Sequence, residues 1–151
     1  MVTKKLTKIG NRSSPKSLID RLDLYAIGLD SLEANLDRSE YSSAYADKKT
    51  RISRLIESTY KLADYSEDHF DITGTLSLRV EASGLSHPIL SLDTSFTGHF
   101  HPKKRAFSRE EAEQFAEAEV RLIFWPYFRQ IVADTTARMH IRIITLPLAV
   151  S

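Results

Sequence analysis

Five histidines, twenty acidic residues and a scatter of serines are the side chains here with chemistry to offer. His99 and His101 stand two apart, which puts both on one face of an extended chain, and a pair of imidazoles so placed is the beginning of a divalent-metal site. His87 lies in the stretch before them, but spacing supplies no third ligand, and a wet strand end accounts for the pair. His69 and His140 have no companions. Asp64, Glu67 and Asp68 fall in an expected loop. Glu110, Glu111, Glu113, Glu117 and Glu119 read as the solvated surface of a helix, without acid or base duty. No serine sits in a nucleophile elbow, and the five glycines never cluster into a phosphate cradle. With no cysteine, thiolate metal sites, thiol nucleophiles and disulfides are excluded. An enzyme reading has no residues to stand on, and no cofactor or resident metal is expected.

The chain must therefore be read for surfaces. Its 151 residues suit one domain with a genuine core. Charges nearly cancel at +1, so nothing global calls for nucleic acid. A cysteine-free chain fits a reducing cytoplasm. No run approaches the ~20 apolar residues that span a bilayer, and the start lacks a signal-peptide core, so the expectation is a protein soluble where it is made. Residues 1–17 carry Lys4, Lys5, Lys8, Arg12 and Lys16 and no acid, and read as a basic flexible tail ahead of a domain over 18–151.

Ser17 to Leu24 has the pattern of a short helix. Tyr25, Ile27 and Leu29 then alternate, and after a slip of one residue Leu32, Ala34 and Leu36 alternate again, which predicts a strand bulged near Asp30. Asp37 to Lys49 is polar and reads as a connection. Thr50 to Ala63 fits both periods: Ile52, Leu55, Ile56, Thr59, Tyr60 and Ala63 make a helical stripe, while Ile56, Ser58, Tyr60 and Leu62 make one face of a strand. Phe70, Ile72, Gly74, Leu76, Leu78 and Val80 alternate with polar residues. So do Leu90, Leu92, Thr94, Phe96, Gly98 and Phe100, beyond the turn-rich ASGLSHP. The two form an antiparallel hairpin with one dry face.

Phe107 to Met139 predicts a long helix, opened by a capping box of Ser108 and Glu111. Pro126 is expected to kink it near Leu122 to Pro126, or divide it there. Phe124, Phe128, Ile131 and Thr135 share one stripe; Trp125, Val132 and Thr136 share the next; Leu122 and Tyr127 lie further round. A helix apolar around most of its circumference needs cover on more than one side, and one sheet covers only one. A second chain or a client segment is the inferred remainder. Ile141 to Val150 reads as an extended apolar segment lying along the body of the protein or along its partner.

The succession of four strands, helix and extended tail resembles the SecB-like chaperone family. The resemblance rests on LEANLD at Leu32 to Asp37, LSLRVEA at Leu76 to Ala82, the helix FWPYFRQIVADTTARM and the segment TLPL. Trp125, Pro126, Tyr127, Arg129, Ile131, Thr136, Arg138, Leu146 and Pro147 fall on the family's pattern, whose specific portion is the helix and tail. It implies an α+β fold, a four-stranded antiparallel sheet with a proline-kinked helix on one face, and a strand from about Ile52 to Ala63. It further implies a homo-oligomer, a dimer of dimers with helices sandwiched between sheets, and ATP-independent holding of non-native polypeptides, in members that serve protein export, in apolar grooves.

On that footing the client-groove candidates are Leu29, Leu32, Ile56, Tyr60, Phe107, Phe124, Trp125 and Phe128. The oligomer-interface candidates are Phe115, Val120, Leu122, Tyr127, Ile131, Val132 and Thr135. Export members carry a second helix and an acidic end that engage the SecA translocase, and this sequence stops at Ser151 with neither. Its hairpin also has a mixed polar face, Arg79 beside Asp71, Glu81 and Asp93, where the export members are acidic. Docking to SecA is thus set against a second expectation, a chaperone or adaptor dedicated to one partner such as an antitoxin of a toxin–antitoxin system. A small-molecule-binding or enzymatic α+β domain centred on His99 and His101 is the third.

Overall fold

The computed structural model describes residues 17–148. The basic tail expected over residues 1–17 lies outside them except for Ser17, and so does the end of the extended segment beyond residue 148.

The two alternating runs form β3 (Phe70–Ala82) and β4 (Leu90–Pro102), paired from Phe70 with Phe100 to Val80 with Leu90. β1 (Leu22–Leu36) lies against β4 and β2 (Ile52–Tyr65) against β3, giving one antiparallel sheet in the order β1-β4-β3-β2. The segment with two periods is thus a strand. Among the described residues the sheet is covered on one side only: Ile72, Leu78, Val80, Leu90, Leu92 and Phe100 are fully buried, while their polar neighbours Thr73, Ser77, Ser91 and Thr97 keep partial contact with water. On that wet face Arg79 pairs with Asp93 at 2.9 Å and His99 with Asp71 at 2.7 Å.

β1 is bulged at Asp30 as expected, and a second time at Tyr25. The second bulge puts Leu24, not Tyr25, in phase with Ile27 and Leu29, and Tyr25 stacks on His101 instead, ring centres 5.1 Å apart. Two further corrections concern helices. The expected helix over Ser17 to Leu24 is a single 3₁₀ turn, Ile19–Arg21, because Leu22 already pairs with Pro102. The expected connection after Asp37 contains α1 (Arg38–Ala46), with the Asp37 carboxylate capping the Glu40 N–H and with Tyr41 and Ala44 buried.

The helical segment is divided, but not at its proline. α2 (Arg109–Ala118) carries the full Ser108–Glu111 capping box, and α3 (Arg121–Arg138) follows after a tight turn at Glu119 and Val120. At the break the Glu119 carboxylate accepts from Ser17 Oγ, Leu18 N and Ile19 N at 2.9–3.0 Å, and so caps the 3₁₀ turn instead of lying on a helix surface. Pro126 sits inside α3, in its second turn, where the carbonyl it leaves without a donor belongs to the exposed Leu122. α3 ends in a Schellman turn: His140, at φ 58, gives its N–H to Ala137 O, and Ile141 gives its N–H to Thr136 O.

Phe124 seats α3 on the sheet. A Cβ at Gly74 would run into the Phe124 ring, and one at Gly98 would press on Phe124 and Phe100, so these two glycines are the socket for that ring. Tyr60 meets its edge at 5.6 Å.

Candidate functional site

The second stripe of α3 is not bare. Trp125 donates its Nε1–H to Pro147 O (2.8 Å), Arg129 donates Nε–H to Leu146 O (2.9 Å), and Thr136 Oγ1 accepts the Ile144 N–H (3.0 Å). Positions 125, 129, 132 and 136 repeat at helical spacing. The segment after α3 is therefore a strap laid along that stripe, with its own Ile144 and Leu146 buried. Trp125 is only 4% exposed, so the cover that was inferred to come from another chain comes here from the chain's own strap.

This relocates most of the aromatic candidates. Phe107, Phe124, Trp125 and Phe128 were expected to line a groove, but all four are buried in the chain's own core, Phe107 and Phe70 with rings 5.6 Å apart. Phe115, Val120 and Val132, expected at an interface, are likewise 0% exposed. What remains at the surface is narrower. On β1, Leu29 (42% exposed) and Leu32 (43%) are joined by Leu24 (36%), and register with Phe96, Thr94 and Phe100 places all three on the helical side of an edge strand. On α3, Leu122 (57%) and Tyr127 (42%) are exposed and Ile131 and Thr135 half-buried. Ile56 and Tyr60 are half-buried on the same side of β2, the opposite edge of the sheet, where burial pushes the Tyr60 phenol pKa up.

The histidines lie elsewhere. His99 is engaged with Asp71, His101 lies between Tyr25 and His69, and His87 pairs with Asp37. Among the described residues no three potential ligands converge as a metal site would require.

Sequence reasoning missed one feature. Lys103, Lys104 and Arg105 follow β4 directly and share a concavity of about 410 Å³ with Asp20 and Arg21. The consecutive KKR was the available signal, overshadowed by the lysines of residues 1–17.

No protein-family model matches the sequence, and no curated protein sequence does. Among solved structures, the chain is similar to the SecB-like chaperone Rv1957 of Mycobacterium tuberculosis, solved with a ChAD peptide from the HigA1 antitoxin. The TM-score is 0.64 at 20% identity, covering 87% of this chain and 93% of that one. A Streptococcus agalactiae protein of unknown function aligns with a TM-score of 0.49 at 12% identity, over 83% of this chain and 96% of that one. The chain thus has the SecB-like fold: four antiparallel strands with helices on one face.

Proposed function

We propose that this protein is an ATP-independent chaperone that holds extended segments of other polypeptides along the helical side of β1. The observation that carries the reading is the row Leu24, Leu29 and Leu32 on an edge strand, facing the side where the core should be covered and left open to water. Strand edges and apolar rows of this kind accept extended chains, the backbone giving affinity and alternate side chains giving preference. Burying the exposed parts of three leucines contributes on the order of 1 kcal/mol each, enough for the weak, reversible grip that holding requires.

The likeness of fold to a SecB-like chaperone bound to a peptide supports this reading, as does the absence of any catalytic constellation in the sequence. We assign the second exposed sector, Leu122, Tyr127 and Ile131 on α3, to contact between copies of the chain in a cytoplasmic oligomer, a dimer of dimers as the sequence resemblance implies. The neighbour's antitoxin peptide favours a second form of the reading, service to a single dedicated partner. Pull-down from the source cell separates the two: many unrelated unfolded proteins mean a general chaperone, one stoichiometric protein a dedicated one.

The direct trial is suppression of the aggregation of a denatured model protein at stoichiometric amounts. The native chain is expected to suppress it, and the double substitution Leu29→Ser, Leu32→Ser to lose most of that effect while unfolding cooperatively. An inert native chain, or a fully active double variant, overturns the assignment.

A further inference from the structure

The row of leucines on β1 starts at a corner of unusual charge. Leu22 pairs with Pro102 and Leu24 with Phe100, and the chain leaving β4 folds back over the 3₁₀ turn, Lys103 donating its N–H to Arg21 O at 2.9 Å. Among the described residues the concavity there is lined by Asp20, Arg21, Lys103, Lys104 and Arg105, and one of these alone is acidic. Lys103, Lys104 and Arg105 are exposed, and among the described residues none of the three enters an ion pair. Arg21 is held by Glu111 at 2.9 Å and lies over the Phe107 ring at 4.5 Å, yet its second terminal nitrogen, Nη2, is buried with no acceptor. A buried guanidinium N–H without a partner is costly, so the corner is short of acceptors as well as of acidic charge.

We propose that this corner recognises carboxylates on the polypeptide segment held along β1, so that preferred clients carry acidic residues beside an alternating apolar stretch. The inference rests on the chaperone reading above and gives it a substrate class. Continuity argues for it, since the corner lies where the leucine row begins. Charge argues for it too: Arg21 is shared with Glu111, but Lys103, Lys104 and Arg105 carry three positive charges with no ion-pair partner among the described residues, against Asp20. So does the lining: lysine and arginine stems make walls that are largely apolar below their charged heads, which suits glutamate and aspartate side chains on a peptide. Nucleic acid fits less well, because none of the five wall residues offers an aromatic platform for a base.

The test uses the full chain and two fluorescent peptides. Each has nine residues of alternating apolar character flanked at both ends by three glutamates in one peptide and three glutamines in the other. A labelled single-stranded oligonucleotide is the third probe. Anisotropy at low salt is expected to show the glutamate peptide binding about tenfold tighter than the glutamine peptide, with the preference shrinking as salt is added. In the variant Lys103→Gln, Lys104→Gln, Arg105→Gln the preference disappears, while the glutamine peptide binds as before and the urea midpoint is unchanged. Equal affinity for the two peptides, or a preference that survives in the variant, overturns the inference and leaves the chaperone reading standing. Tighter binding of the oligonucleotide than of either peptide also overturns it. Failure of both peptides to bind overturns the inference together with the reading beneath it.

Discussion

Glu111 serves two elements at once. Its carboxylate accepts the Ser108 N–H at 3.0 Å to complete the capping box, and it takes the Arg21 guanidinium at 2.9 Å, tying the start of α2 to the 3₁₀ turn before β1. The hydrogen bond from Arg21 and the backbone N–H of Ser108 together hold its pKa below the ordinary glutamate range. A carboxylate whose folded pKa is lowered contributes stability that is fully present above the unfolded value and is lost as pH falls through the folded value. Glu111→Gln keeps an oxygen for the cap and removes the charge, so it should cost about 0.5–1 kcal/mol at pH 7. Urea unfolding at pH 7 and pH 3 checks this: the difference between native chain and variant should be largest at neutral pH and shrink below about pH 4.5. A difference that stays constant down to pH 3 would show that the charge plays no part. The capping box was legible because both its members lie within four residues. The Arg21 and Glu119 partnerships were not, since their members are separated by 90 to 102 residues.

At the scale of elements, what could be read was periodicity and what could not was cover. The hairpin β3–β4, the bulge at Asp30 and the two stripes of α3 all follow from spacing along the chain. α1 escaped notice because it buries only Tyr41 and Ala44, too few to stand out from a polar background. The stripe of Trp125, Val132 and Thr136 was recognised, yet no spacing rule says whether its cover is another molecule or the next ten residues of the same one. Thr136 decides how firmly the strap is held, because its fully buried hydroxyl is the acceptor for the Ile144 N–H. Replacing it with valine strands that N–H in the interior at a cost of about 1–3 kcal/mol, whereas serine keeps the bond. Trp125 is the only tryptophan and the strap lies over it, so its emission reports the strap. Thr136→Val is expected to lower stability by that amount and shift the emission to the red, with Thr136→Ser close to native. Native stability and emission in the valine variant would mean that the strap is held by Trp125, Arg129 and the buried Ile144 and Leu146 alone.

For the whole molecule the consequence of the strap is that self-association has to be argued from less surface than the sequence suggested. With Trp125 covered from within, and Phe115, Val120 and Val132 in the core, the apolar part of α3 still open is Leu122, Tyr127 and the edges of Ile123 and Ile131. Leu122 and Tyr127 are the large apolar side chains of α3 most open to water, exposed by 57% and 42%, and a second copy offering the same patch would cover both symmetrically. The β1 row lies on an edge strand, outside the core, so association through α3 leaves that row available to a client. Sedimentation equilibrium at tens of micromolar is therefore expected to give a mass that is a multiple of 17.2 kDa. Leu122→Ser with Tyr127→Ser should drive it to a single chain that still unfolds cooperatively, because neither side chain belongs to the core. The dissociated variant should still bind peptide along β1, although with less avidity for a long unfolded chain, which can no longer span several rows at once. A native chain that is already a single copy at that concentration would remove the assembly from the proposal and leave only the row on β1 to hold a client.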